Sequence, residues 1–159
     1  MTYQPLAIVA STVDDSHIWN LTGVELELRD RGFDVMNLGC CTQPEHVAES
    51  VRDHRPDLTV ISSVNGHGAL SGLALAETLL QYQAFSASTI VIGGKLTIDG
   101  LVPPMVVLAL KRAGYDAVLS GPDAWRNLDR LLERERLQFR RTSARHSASA
   151  SANEKEVVA

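Results

Sequence analysis

No apolar run in this 159-residue sequence approaches membrane-spanning length, and the N-terminus lacks a basic segment followed by a long hydrophobic one. Neither a transmembrane helix nor a secretory leader is expected, so the chain is read as cytoplasmic. Cysteine is confined to the adjacent pair Cys40 and Cys41, which is poor geometry for an ordinary disulfide and lacks zinc-site spacing. The pair reads as small apolar filler just after a strand. Aromatic residues make up only 5% and the formal charge is -4, so the basic, aromatic-interleaved surface that nucleic acid requires is missing. No Gly-x-Gly-x-x-Gly follows the first strand-like run, which excludes the dinucleotide fingerprint.

What is present is a hydrophobic content of 45%, enough for one ordinary core, arranged as alternating strand and helix patterns. Leu6 to Ser11 is an unbroken apolar run suited to a strand covered on both faces. Leu21, Val24 and Leu28 mark a helix ended by Gly32. Phe33 to Leu38 reads as a second strand, and Thr42 to Glu45 has capping-box spacing ahead of a helix to about His54. Asp57 to Ser62 is a β-branched third strand. A helix from Leu70 to Gln83 carries Leu73, Ala76 and Leu80 on one face, and Thr89 to Ile92 is the fourth strand. The helix Met105 to Ala113 is apolar nearly all round, which demands deep burial or a covering partner. Asp116 to Leu119 makes a fifth strand, and Trp125, Leu128, Leu132 and Phe139 form the stripe of a last helix. The domain is expected to span residues 1–141. The Ser/Ala-rich residues 142–159 have too little apolar surface to order and read as a disordered tail.

Five strands alternating with helices predict an α/β, flavodoxin-like doubly wound parallel sheet with strand order 2-1-3-4-5. In that order the loops after strands 1 and 3 meet at the switch point, where such sheets bind ligands. Three polar clusters converge there: Asp15-Ser16-His17-Ile18 after strand 1, Ser62-Ser63-Val64 with Gly66 after strand 3, and Gly93-Gly94 after strand 4. A carboxylate two residues from an imidazole can accept a hydrogen bond from one ring nitrogen, which fixes the tautomer and frees the other nitrogen for a metal. Each cluster alone has a plain account in caps and turns. Together at one crevice they point to a ligand site.

These residues resemble the cobalamin-binding domain family, whose signatures are Asp-x-His-x-x-Gly after strand 1, a serine-led motif after strand 3 and a Gly-Gly pair after strand 4. The resemblance covers about Leu6 to Ala124. Within it the likeness runs toward the small subunits of glutamate (methylaspartate) mutases, with Gly-Phe-Asp-Val before strand 2, Asn37-Leu38-Gly39 closing it, and Ser-Ser-Val-Asn-Gly-x-Gly after strand 3. The resemblance implies adenosylcobalamin as cofactor and His17 as the lower cobalt ligand in place of dimethylbenzimidazole. Asp15 would be bonded to the other ring nitrogen of His17. The displaced nucleotide tail would thread past Gly93 and Gly94, with Ser62 and Ser63 bonding its polar groups. It also implies a large barrel-type mutase subunit as partner, since no second domain here could hold substrate. The reaction would be L-glutamate to threo-3-methylaspartate.

One position departs from the pattern. Asn20 stands where the family has the last glycine of its strand 1 signature, a change that bears on how the corrinoid seats and leaves the cobalt ligand in place. The helical bundle that precedes this domain in corrinoid methyltransferase proteins has no room before strand 1. A phosphoacceptor receiver domain shares the topology and the acidic pair Asp14-Asp15, but it needs an aspartate where Ser62 ends strand 3 and a lysine where Ser120-Gly121 follow strand 5. A corrinoid carrier or regulatory module without isomerase activity is the alternative from another functional class. His67 lies on the same rim, facing either solvent or a ligand edge, and His46 and His54 fall on a surface helix.

Overall fold

Strands β1 (Leu6–Ser11), β2 (Asp34–Asn37), β3 (Leu58–Ser63), β4 (Thr89–Gly94) and β5 (Ala117–Leu119) form one parallel sheet in the order β2-β1-β3-β4-β5. This is the topology the sequence predicts. The computed structural model describes residues 3–135. The expected tail at 142–159 and Phe139 lie outside them. Helices α1 (Ile18–Asp30), α2 (Pro44–His54), α3 (Gly68–Gln81) and α4 (Pro104–Ala113) make the crossovers. Among the described residues no helix is long and apolar enough to cross a membrane.

Strand alternation divides the core. Ile8, Ala10, Ile61, Ile90 and Ile92 pack with Val47 and Val51 of α2, Leu75 and Leu79 of α3, and Leu110 of α4 in one buried cluster. The alternate residues Ala7, Val9, Val60 and Val91 are buried as well, as are Leu21, Val24 and Leu28 of α1. A strand with both faces covered must be apolar at every position, which is why these runs show no polar alternation.

Several local details depart from expectation. The buried stripe of α3 is Gly72, Leu75, Ala76 and Leu79, while Leu80 is exposed. With leucines on both sides of this helix, periodicity could not choose a face. The capping box before α2 does not form: Thr42 Oγ1 donates instead to the Gly39 carbonyl at 2.6 Å, and Gln43 takes the cap position without a side-chain bond. Cys41 is exposed rather than core filler, with a left-handed φ of 51°. Its backbone N–H donates to the Asp15 carbonyl at 2.8 Å. Helix α4 buries only Leu110, and Met105 remains exposed.

The described residues 125–135 belong to a second compact unit. The chain is helical over 124–135, with Leu128, Leu131 and Leu132 buried and Trp125 exposed, so Leu131 rather than Trp125 belongs to the apolar stripe.

Candidate cofactor site

The parallel sheet delivers the ends of β1, β3 and β4 to one edge, and the register pairs Ser11 with Ser62, Ser62 with Gly93, and Ser63 with Gly94. After β1 the chain turns through Thr12 to Ser16, closed by Asp15 N–H donating to the Thr12 carbonyl at 3.1 Å. Ser11 Oγ donates to the Asp15 carbonyl at 3.0 Å, which fixes the turn from the strand side. Helix α1 then starts at Ile18, with His17 at its cap position.

Asp15 is 2% exposed, yet every lone-pair direction of its carboxylate is used. Oδ1 accepts the His17 backbone N–H at 2.9 Å and the His17 Nδ1–H at 2.8 Å. Oδ2 accepts Ser63 Oγ–H at 3.0 Å, Val64 N–H at 2.6 Å and Asn65 N–H at 3.2 Å. Burial alone would push this carboxyl pKa up. The backbone N–H groups of His17 and Val64, the imidazole and the Ser63 hydroxyl together outweigh burial and hold it below the usual 3.8. Asp15 is therefore ionised at neutral pH, and one carboxylate ties the first crevice loop to the third.

The consequence falls on His17. With Nδ1–H given to Asp15, the neutral ring keeps its lone pair on Nε2, and the side chain is 56% exposed. A fixed, outward-facing imidazole nitrogen backed by a buried carboxylate is the donor arrangement a metal ion needs. Among the described residues no group of three or more His, Cys, Asp or Glu side chains could hold a metal. A metal held by His17 alone of these residues would bring its other ligands with it, as a corrin ring does. On donor chemistry the residues fit the implied group.

The two serines separate. Ser63 faces Asp15 and is buried within the loop network, whereas Ser62 points to the opposite side of the sheet and receives a hydrogen bond at 2.5 Å from Asn20 Nδ2 of α1. Gly93 and Gly94 are small for reasons internal to the fold. A Cβ on Gly93 would lie 2.5 Å from the Leu119 carbonyl oxygen, and one on Gly94 would lie 2.2 Å from that of Ser63. Gly94 also sits at φ +108°, open to glycine alone in practice. Gly66, at φ +87°, approaches the Ile98 backbone. The loops are cross-tied further, since Asn65 Nδ2 donates to the Asp14 carbonyl at 3.0 Å and Ser71 Oγ to the Asp14 carboxylate at 2.8 Å.

Sequence reasoning brought Asp15, Ser16, His17 and Ile18 together with Ser62, Ser63, Val64, Gly66, Gly93 and Gly94, and the fold gathers all of these at one sheet edge. It did not find Asn65, which braces both Asp14 and the cap of α3 through His67 N–H at 2.8 Å. An asparagine two residues before a helix cap was the available signal. The rim is apolar: Trp19, Leu70, Ile98 and Leu101 are all exposed. Beside His67, Leu70, Ile98 and Leu101 border a groove of about 490 Å³ that Gly66 and Leu96 also line.

The chain is 29% identical over 116 residues to the glutamate mutase sigma subunit of Halobacterium salinarum, covering 73% of this chain and 76% of that protein. It is 26% identical over 145 residues to glutamate mutase sigma subunit 1 of Haloarcula marismortui, covering 89% and 93%. The solved monomethylamine corrinoid protein of Methanosarcina barkeri shares the fold, with a TM-score of 0.66 at 22% identity over 82% of this chain. The chain spans 58% of that structure's length. The B12 binding domain model matches residues 5–102, from the start of β1 through the loop after β4, and the chain therefore belongs to the B12-binding domain family.

Proposed function

We propose that this chain is the cobalamin-binding small subunit of an adenosylcobalamin-dependent carbon-skeleton mutase of the glutamate mutase type. It would act on L-glutamate, with threo-3-methylaspartate as product, together with a separate barrel-type catalytic subunit. The observation that carries the reading is the Asp15–His17 pair, in which a fully bonded buried carboxylate holds Nδ1 and leaves Nε2 facing out at the sheet edge. His17 Nε2 would then hold the cobalt ion, with Asp15 fixing the ring's tautomer and angle. Ser16 and Ile18 flank the ligand on the loop. Val64 and Gly66 border it from the loop after β3, and Ser62, Gly93 and Gly94 stand where the nucleotide tail would enter. When bound, adenosylcobalamin supplies a weak cobalt–carbon bond as a radical source.

The two relatives named as glutamate mutase sigma subunits support the mutase half of the reading, as the apolar rim supports a covering partner. The test mixes the full chain with adenosylcobalamin and a glutamate mutase barrel subunit, follows the corrinoid absorption spectrum and assays loss of glutamate. The expected result is a shift to the spectrum of cobalt freed from benzimidazole, with turnover that needs both proteins. Intact binding without turnover refutes the mutase reading and leaves a corrinoid carrier.

A further inference from the structure

Asn20 is the third residue of α1 and stands half-buried over the carboxyl end of the sheet. Beneath it the register aligns three small residues across β1, β3 and β4, namely Ser11, Ser62 and Gly93. The Asn20 amide reaches from the helix to the strand and donates to Ser62 Oγ at 2.5 Å. Ser62 is only 3% exposed, so its hydroxyl needs a partner, and Asn20 supplies one. Each group satisfies the other while the helix and strand are closed together. Parting them strands a buried hydroxyl unless something polar replaces the amide.

We propose that Asn20 is a gate that discriminates among corrinoids by their lower nucleotide, tied shut by Ser62 and opened only by a ligand whose tail displaces the amide. The proposal rests on the corrinoid reading of the site, in which the tail enters past Ser62 and Gly93. A glycine at position 20 would leave that entry clear; the asparagine fills it and must swing away. A corrinoid without a nucleotide, such as cobinamide, meets His17 without touching the gate. The gate thus lowers affinity for ligands that carry a nucleotide tail and leaves tail-less ones unaffected, through a residue that does not contact cobalt.

The experiment titrates the full chain, and its Asn20→Ala and Asn20→Gly variants, with cobalamin and with cobinamide, following the corrinoid absorption spectrum and tryptophan quenching. Alanine keeps the helix favourable while removing the amide, and glycine restores the clear passage. One lost hydrogen bond predicts cobalamin affinity about five- to tenfold higher in both variants, with cobinamide affinity changed less than about twofold. Equal gains for both ligands would overturn the gate, since Asn20 would then act on the ring. Weaker cobalamin binding in the variants would also overturn it, by making Asn20 a contact. Failure of wild-type chain to bind either ligand would instead sink the corrinoid reading itself.

Discussion

Replacing Asp15 with Asn changes one atom of a buried carboxylate and tests whether its charge organises the crevice. An amide can present its oxygen to only one of the two donor sets. With the oxygen toward Ser63, Val64 and Asn65, three bonds survive in neutral form and the amide nitrogen faces the His17 backbone N–H, formerly 2.9 Å from Oδ1. That N–H is left without an acceptor, at about 1–3 kcal/mol, and the surviving bonds lose their charge assistance, roughly another 1 kcal/mol. The net loss is about 2–4 kcal/mol, a large share of the stability of a small domain. The sign is set by the depressed pKa of Asp15, because its hydrogen bonds outweigh its burial in the native state. A group whose folded pKa lies below its unfolded value stabilises above the unfolded value and loses that contribution as pH falls through the folded one. The wild-type advantage over Asp15→Asn is therefore full at pH 7 and shrinks below the usual 3.8. Urea titrations at both pH values, followed by circular dichroism, read this directly. A loss under about 0.5 kcal/mol at pH 7, or a gap that does not close in acid, would refute the reasoning.

The remaining predictions concern the ring and the packing beneath it. In wild-type protein with the ring neutral, nitrogen NMR shows the His17 proton on Nδ1; in Asp15→Asn it moves to Nε2, because Nδ1 must now accept from the amide. No change of tautomer would mean that Asp15 does not set it. Gly94→Ala puts a Cβ 2.2 Å from the Ser63 carbonyl oxygen at φ +108°, at a cost of about 3 kcal/mol or more. Gly100→Ala, at φ +78° with nothing nearer than 3.9 Å, costs about 1 kcal/mol. Similar urea midpoints for the two would contradict the close-approach account. Tyr115→Phe removes the hydroxyl that donates to the Gly72 carbonyl at 2.7 Å and keeps the edge contact with Phe85, so thermal denaturation should register about 1 kcal/mol.

The sheet was legible because its strands are buried on both faces, and continuous runs such as Leu6 to Ser11 and Leu58 to Ile61 leave little room for another assignment. Asp15 and His17 were legible because their chemistry is local, two residues apart on one loop. What depended on three-dimensional competition was not. The face of α3 was read correctly at Ala76 and missed at Leu80, which offered an apolar alternative to the buried Leu79. Thr42 bonded back to Gly39 rather than capping α2, a choice between two nearby acceptors that sequence spacing does not decide. The sequence also grouped Ser62 with Ser63, whereas strand alternation sends one to α1 and the other to Asp15. The number of donors on Asp15 follows from the register of β1 with β3, which no local pattern encodes.

The central claim is that the His17 Nε2 atom ligates cobalt from below. Electron paramagnetic resonance of the cobalt(II) corrinoid bound to protein uniformly labelled with nitrogen-15 tests it most directly. The account predicts that the superhyperfine splitting from the axial nitrogen changes from a triplet to a doublet on labelling the protein, and that His17→Ala abolishes this change. A triplet that persists in the labelled protein would place the cofactor's own benzimidazole on the metal and contradict the account.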